Sequence, residues 1–455
     1  MKRLFVSFIV LVFMSLTTVA FAREGESAQG QAAKPSSTVH FKPYGFFRTF
    51  FTFDTRESSS GTLNLYYYMP KDKLLNENND DLNERNSFRF VSLTSRFGCD
   101  ISGYQYGSMQ VGGKVETDFY CLNGTVATLR LRQAYMTLKW AGLGSRDKNS
   151  ALLLIGQAWH PMAADGPNAI NLENGVPFNP FNRSPQVMMN YSFGRNLTFT
   201  GGFIYQMQYT SMGPSGKSAD YMKYACTPEG YLGLTYKSGI GLTVKGGTDI
   251  LSIKPRWEGT SGSNKINVGD RITTATPFVY LQYDHNLFQI KAKSVYASSG
   301  EHMNLLSGYG VSKIKADGDW EYTPMRSSVS FISARYGAKW QIMGMVGYIK
   351  NLGTAKALYS DGDASGDASM AGLTGPDYYF FNKSGYSNMN SMWRFTPTVA
   401  YNAGKLILAL EYAHTAVQYG TYKESGYVNS KNGLADDGMH WVHNNRLQFV
   451  AKYIF

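Results

Sequence analysis

From Val39 to the end of the chain, apolar and polar residues alternate in runs of about ten. The last run shows the pattern: Leu447, Phe449, Ala451, Tyr453 and Phe455 share one parity, and Arg446, Gln448 and Lys452 share the other. The same period places Leu197, Phe199, Phe203, Tyr205 and Met207 on one face, then Phe288, Ile290, Ala292 and Tyr296, then Leu406, Leu408, Leu410 and Tyr412. Period two means β-strands with one apolar and one polar face. The runs predict strands over 39–53, 86–99, 108–119, 128–140, 151–159, 185–193, 197–208, 230–237, 240–252, 273–284, 287–296, 322–336, 340–349, 391–402, 405–414 and 445–455. Tight turn signals close many pairs, among them Gly194-Arg195-Asn196, Asp284-His285-Asn286 and Asn402-Ala403-Gly404. Connections after odd-numbered strands are mostly long and those after even-numbered strands mostly short, with 120–127 and 141–150 as exceptions.

That alternation separates two architectures. A soluble sandwich gives no reason for it. A bilayer-spanning barrel of about sixteen antiparallel strands does, with short turns on one side and long loops on the other. Lys2 and Arg3 precede an apolar run, Leu4 to Leu16, and Ala20-Phe21-Ala22 offers a cleavage site, so residues 1–22 read as a secretory signal peptide. Residues 23–38 are polar and aperiodic and read as a flexible periplasmic tail. The barrel then occupies 39–455. No later stretch is apolar enough to span as a helix, and a lipid-exposed chain without helices must close into a barrel. Composition agrees. There are 32 Tyr and 27 Phe, enough for aromatic girdles, and hydrophobic content is 43%. Mean hydropathy is still only −0.28. These features predict an outer-membrane location, with lipid and lipopolysaccharide around the barrel.

The face opposite the apolar one should line the lumen. It carries Lys42, Arg48, Arg96, Lys114, Arg130, Arg132, Lys245, Lys291, Lys293, Arg394, Arg446 and Lys452. Acidic residues there are fewer: Glu116, Asp118, Asp284 and Glu411. Charge of either sign keeps a lumen wet, so the excess of cations is the informative part. Lysine and arginine in an aqueous pore favour small anions. On neighbouring strands, GKVETDF presents Lys114, Glu116 and Asp118 and TLRLRQAY presents Arg130 and Arg132. Acids opposite arginines hold guanidinium forks in fixed poses.

Four short motifs carry a resemblance: Ser95–Gly98 (SRFG), Val115–Phe119 (VETDF), Leu129–Tyr135 (LRLRQAY) and Gly156–Trp159 (GQAW). In this order and spacing they resemble the DcaP-like porin family, over the first third of the mature chain. The resemblance implies an outer-membrane diffusion channel for small anionic solutes such as dicarboxylates, assembled as a homotrimer. It departs from the family where a short polar tail stands in place of a periplasmic coiled-coil extension. The C-terminal face of Phe449, Tyr453 and Phe455 resembles the signal by which the barrel assembly machinery recognises its clients. The connection 160–184 is the third outer loop, the one that folds inward in general porins. Its four prolines suit a stiff loop, from which Asp165, Glu173 and Arg183 would reach the lumen; an exposed loop is the alternative.

Other chemistry is weakly signalled. Asp361 to Asp367 starts like a calcium loop, but Gly372 stands where a bidentate Glu belongs. His440 and His443 lack a third ligand, and no cofactor is expected. Three cysteines make no disulfide framework, although Cys121 and Cys226 could pair on the outer side. Basic residues in the loops show no pattern for nucleic acid. A barrel enzyme would need an activated nucleophile beside His160, His302, His414, His440 or His443, and no such signature accompanies them. A surface adhesin would act through its loops without conducting.

Overall fold

The computed structural model describes residues 38–455 apart from 62–64, 122–125, 145–147, 171–174, 262, 360–378, 382–388 and 422–431. The signal-peptide and tail expectations over 1–37, Glu173 and the calcium-like run from Asp361 lie outside the described residues.

Sixteen antiparallel strands close into a barrel. The first eight are β1 His40–Asp54, β2 in two pieces (Ser87–Val91 and Arg96–Tyr106), β3 Met109–Tyr120, β4 Thr128–Leu143, β5 Asn149–Trp159, β6 Arg183–Phe193, β7 Leu197–Ile204 and β8 Glu229–Lys237. The second eight are β9 Leu242–Ile253, β10 Ile272–His285, β11 Phe288–Ser298, β12 Trp320–Gly337, β13 Trp340–Thr354, β14 Met389–Ala403, β15 Leu406–Thr421 and β16 Asp437–Ile454. Each strand pairs with its sequence neighbours, and β1 closes on β16 from Phe46↔Ile454 to Asp54↔Arg446. Closure removes every strand edge, which lipid demands. The strips expected to meet lipid do face outward: Leu197, Phe199, Phe288, Tyr296, Leu406, Leu410 and Tyr412 are all exposed.

Two irregularities re-aim lumenal side chains. The run 86–99 predicts one continuous strand, but β2 breaks at 92–95, where Thr94 has φ 69°. Residues 92–95 stand opposite 47–49 of β1, an extra residue that breaks the ladder. The break lets Thr94 Oγ1 accept from Arg48 Nε and Nη2 at 3.2 and 2.7 Å. In β4 the register slips between Glu116/Thr117 and Gln133/Leu131, so Arg132 is the extra residue. Arg132 and Gln133 are therefore both buried on the inner side.

The barrel interior is not an open tube. A cluster of buried apolar side chains joins Tyr68 and Met69, Met162, Val176, Phe178 and Phe181 to wall residues such as Met345, Ile349 and Val417. The first group comes from the hairpin Ser58–Gly61/Tyr66–Pro70, the second from the connection between β5 and β6. Where the loop leaves β1, Arg56 holds Asp81 at 2.8 Å. Burial favours the neutral acid, but the Leu74 and Asn83 amides and Arg56 outweigh it and keep Asp81 below its ordinary carboxylate value. No disulfide forms among the described cysteines, so the option of a Cys121–Cys226 bridge is not realised.

Phe455 belongs to the seam. Its N–H donates to Gly45 O at 3.1 Å, and its ring lies 5.3 Å from Phe47 and 6.0 Å from Phe97. A Cβ on Gly45 would come within 2.5 Å of that ring, so glycine is needed for the close approach. Deleting Phe455 should lower the yield of heat-modifiable, folded barrel. Unchanged levels and migration in the deletion would show that the residue is dispensable.

Candidate solute pathway

The lumenal wall near the seam is built from β1 to β4 and β16. Asp118 accepts a bidentate pair from Arg130, Nε to Oδ1 at 2.9 Å and Nη2 to Oδ2 at 3.0 Å. Arg132 bridges the two acids, Nε to Glu116 Oε1 at 2.8 Å and Nη1 to Asp118 Oδ2 at 2.5 Å. Arg96 approaches Glu116 at 3.6 Å, and Tyr44 Oη donates to the same carboxylate at 3.0 Å. Lys114 pairs with Asp100 at 2.9 Å and touches Tyr44 Oη at 3.1 Å. The expected acid–arginine ladder is thus assembled, with Lys114 at its lower end.

Exposure decides what a solute would meet. Glu116 and Asp118 are 4% and 0% exposed, whereas the side chains of Arg96, Lys114 and Arg130 keep 21–24%. The acids sit behind their arginines. A second group gathers cations: Arg48 and Lys452 are directly opposite in the β1–β16 register. Arg48, Arg96 and Lys452 place their cationic heads 5.1, 5.0 and 4.2 Å from the Phe46 ring centroid. Cation–π attraction offsets part of their repulsion. Like charges facing across a ladder cost stability.

Across the lumen, the basic residues do something else. Lys245 Nζ donates to Asp165 Oδ2 at 2.6 Å and Pro161 O at 2.8 Å. Lys291 donates to Gly166 O at 3.2 Å. Lys293 donates to Met162 O and, at 3.0 Å, to Asn179 Oδ1. Arg394 Nη1 reaches Val176 O at 3.0 Å, and Glu411 Oε2 accepts from the Ile170 amide at 2.8 Å. Phe178, fully buried, packs against β13, where a Cβ on Gly347 would lie 2.4 Å from its ring. The described residues of 160–184 therefore lie inside the barrel, against β9 and β11 to β15. Irregular backbone inside a barrel needs donors for its carbonyls, and lysines and an arginine supply them.

Several expected lumenal residues do not meet open water: Arg132, Arg394, Arg446 and Glu411 are 5% exposed or less and bound to neighbouring groups, and two more are placed otherwise. Lys293 is only 3% exposed and its ammonium is taken up by the inward segment, so it does not line open water. Arg183 is not in the loop but opens β6; it is fully buried between Trp159 and Phe181, with Nη2 on Tyr209 Oη at 2.7 Å. Stacking on aromatic rings, not the lumen, receives its charge. Asp165 is spent on Lys245. The sequence reading missed the hairpin Tyr66–Pro70, whose run of three tyrosines was the available signal. Tyr67 lies over both Arg394 and Arg446 at 4.4 and 4.3 Å, and Arg446 in turn forms a bidentate pair with Asp54 at 2.8 and 2.9 Å. It also missed that His160 and His302 meet Glu229 and Asp249 in a sealed cluster. Burial works against charging His302, but those carboxylates and Glu301 outweigh it and raise it to about 9.

No protein-family model and no curated relative matches the sequence. Solved structures do. The outer membrane channel DcaP of Acinetobacter baumannii matches with a TM-score of 0.59 and 14% identity, over 94% of this chain and 99% of that one. OmpT, an outer membrane protein of Vibrio cholerae, matches with a TM-score of 0.50 and 12% identity, over 94% and 100%. The chain therefore shares the barrel fold of the outer membrane channel DcaP.

Proposed function

We propose that the protein is an outer-membrane porin, a water-filled diffusion channel that passes small anions, dicarboxylates among them, in preference to cations. One observation carries the sign: Arg48, Arg96 and Lys452 gather round Phe46 with Arg48 and Lys452 directly opposed, while the nearby acids Glu116 and Asp118 are buried. A field focused between low-dielectric walls is screened less than one at a rim. Arg130, Lys114 and Lys291 extend the basic surface. The described part of the connection 160–182, with Asp165 tied to Lys245, narrows the passage beside it. Solutes slip past without tight capture, since a channel must also release them.

The outward Phe47, Phe51, Phe90, Phe97 and Phe449, in ring contact across β1, β2 and β16, form the face that a homotrimer would bury. Of the histidines a barrel enzyme would use, His160 and His302 are 0% and 1% exposed, which leaves that reading to His414, His440 and His443. Swelling of liposomes containing refolded protein tests the proposal. Succinate should enter faster than an organic dication of the same size. Equal rates, or faster dication entry, would remove the anion preference; no swelling with any small solute would remove the channel and favour an adhesin.

A further inference from the structure

Four titratable side chains from separate parts of the chain meet between the inward segment and the wall. His160 follows β5, Glu229 opens β8, Asp249 lies in β9, and His302 sits in the 3-10 turn Glu301–Met303. None is more than 1% exposed. The carboxylates lie between the imidazoles. His160 Nε2 is 3.0 Å from Glu229 Oε1 and 3.5 Å from Asp249 Oδ1. His302 Nε2 is 3.3 Å from Glu229 Oε2 and 3.8 Å from Asp249 Oδ2.

The two halves differ. His160 Nδ1 accepts the Met162 amide at 3.1 Å, so the ring proton sits on Nε2 and is donated to Glu229 Oε1. His302 has no well-aligned hydrogen bond on either ring nitrogen, and neither has Glu229 Oε2 or Asp249 Oδ1; Nε2 and Oε2 only face each other as an ion pair at 3.3 Å. Fully buried polar atoms without a well-aligned hydrogen bond are costly, and here three groups converge at ion-pair distances with unused lone pairs among them. We propose that His302 Nε2, Glu229 and Asp249 bind a divalent transition-metal ion, with zinc as the reference, and that His160 orients Glu229 from behind. The ion would displace the proton that the carboxylates otherwise hold on His302, and an imidazole with two carboxylates is then a hard-to-borderline donor set of charge opposite to the ion. Ligand atoms about 2.0–2.1 Å from a tetrahedral zinc lie about 3.3–3.4 Å apart. The His302–Glu229 separation meets this, and His302–Asp249 at 3.8 Å must close by about half an ångström; ligand atoms of Glu229 and Asp249 lie within 4.8 Å of each other and of His160.

The ion would act as a staple. Asn182 donates to His302 O at 3.2 Å, Phe181 N to Met303 O at 2.8 Å, and Asn304 to Phe181 O at 2.7 Å. Fixing His302 to β8 and β9 fixes the Phe181–Asn182 end of the inward segment to the wall. The binding itself does not depend on the channel reading.

The test is refolding of the full chain with Co²⁺ or Zn²⁺, removal of excess ion, and metal analysis of the folded fraction. Wild type should keep one ion per chain, and the cobalt form should show visible ligand-field bands. His302→Ala and Glu229→Gln should lose the ion, and His160→Gln should bind about 10- to 100-fold more weakly. The wild-type spectrum stands even where a variant does not fold. A folded wild type that retains no ion would mean that protons alone hold the cluster together. Equal retention by folded His302→Ala would put the metal elsewhere. Either result overturns the site.

Discussion

Replacing residues 163–178 with a short Gly-Ser link should raise single-channel conductance roughly twofold or more, because a sixteen-strand barrel without its inward segment encloses a wide aqueous channel. The barrel should survive, since its ladder closes through β1 and β16 without this segment. What is lost is loop-to-wall bonding: Lys245 to Asp165, Ile170 to Glu411, Val176 to Arg394. A subtler variant, Gly347→Leu, puts a side chain where the Phe178 ring lies and should shift the segment without deleting it. Conductance fluctuations should then increase. If a folded deletion variant, judged by heat-modifiable migration, conducts as wild type does, the constriction lies elsewhere.

Asp118→Ala should destabilise the barrel by about 3 kcal/mol, because it strips the acceptor from one bidentate and one short arginine contact and leaves the buried Arg132 with Glu116 alone. Arg132 is the sensitive partner, at 5% exposed, while Arg130 can turn toward water. Urea unfolding of the protein in lipid vesicles measures the loss. Asp118→Asn should recover part of it, since it keeps acceptor oxygen but not charge. A loss under about 1 kcal/mol would mean that water replaces the carboxylate.

The strands were legible because lipid outside and water inside impose period two on every one of them; the sixteen predicted runs coincide with the sixteen strands to within a few residues in most cases. The break at 92–95 was not, since Ser92 to Ser95 alternates well enough to continue a strand and only the contact of Thr94 with Arg48 reveals why it stops. Parity put Arg48, Arg96, Lys114, Arg130 and Arg132 on the inner side, with Glu116 and Asp118 among them. It could not distinguish a lysine that meets water from one, such as Lys293, that meets a returning loop, because both demand the same inward face. Arg183 was misplaced by two residues of strand boundary. The His160–His302 cluster joins four segments far apart in sequence, and no local pattern marks such a meeting.

The central claim is that the cations around Phe46 set the selectivity. The most direct measurement is the reversal potential of the reconstituted protein across a planar bilayer under a KCl gradient, for wild type and for Arg48→Glu with Lys452→Glu. Wild type should favour chloride, and the double variant, which turns a cation pair in β1–β16 register into an anion pair, should weaken or reverse that preference. A cation-selective wild type, or a folded double variant with unchanged reversal potential, would contradict the account.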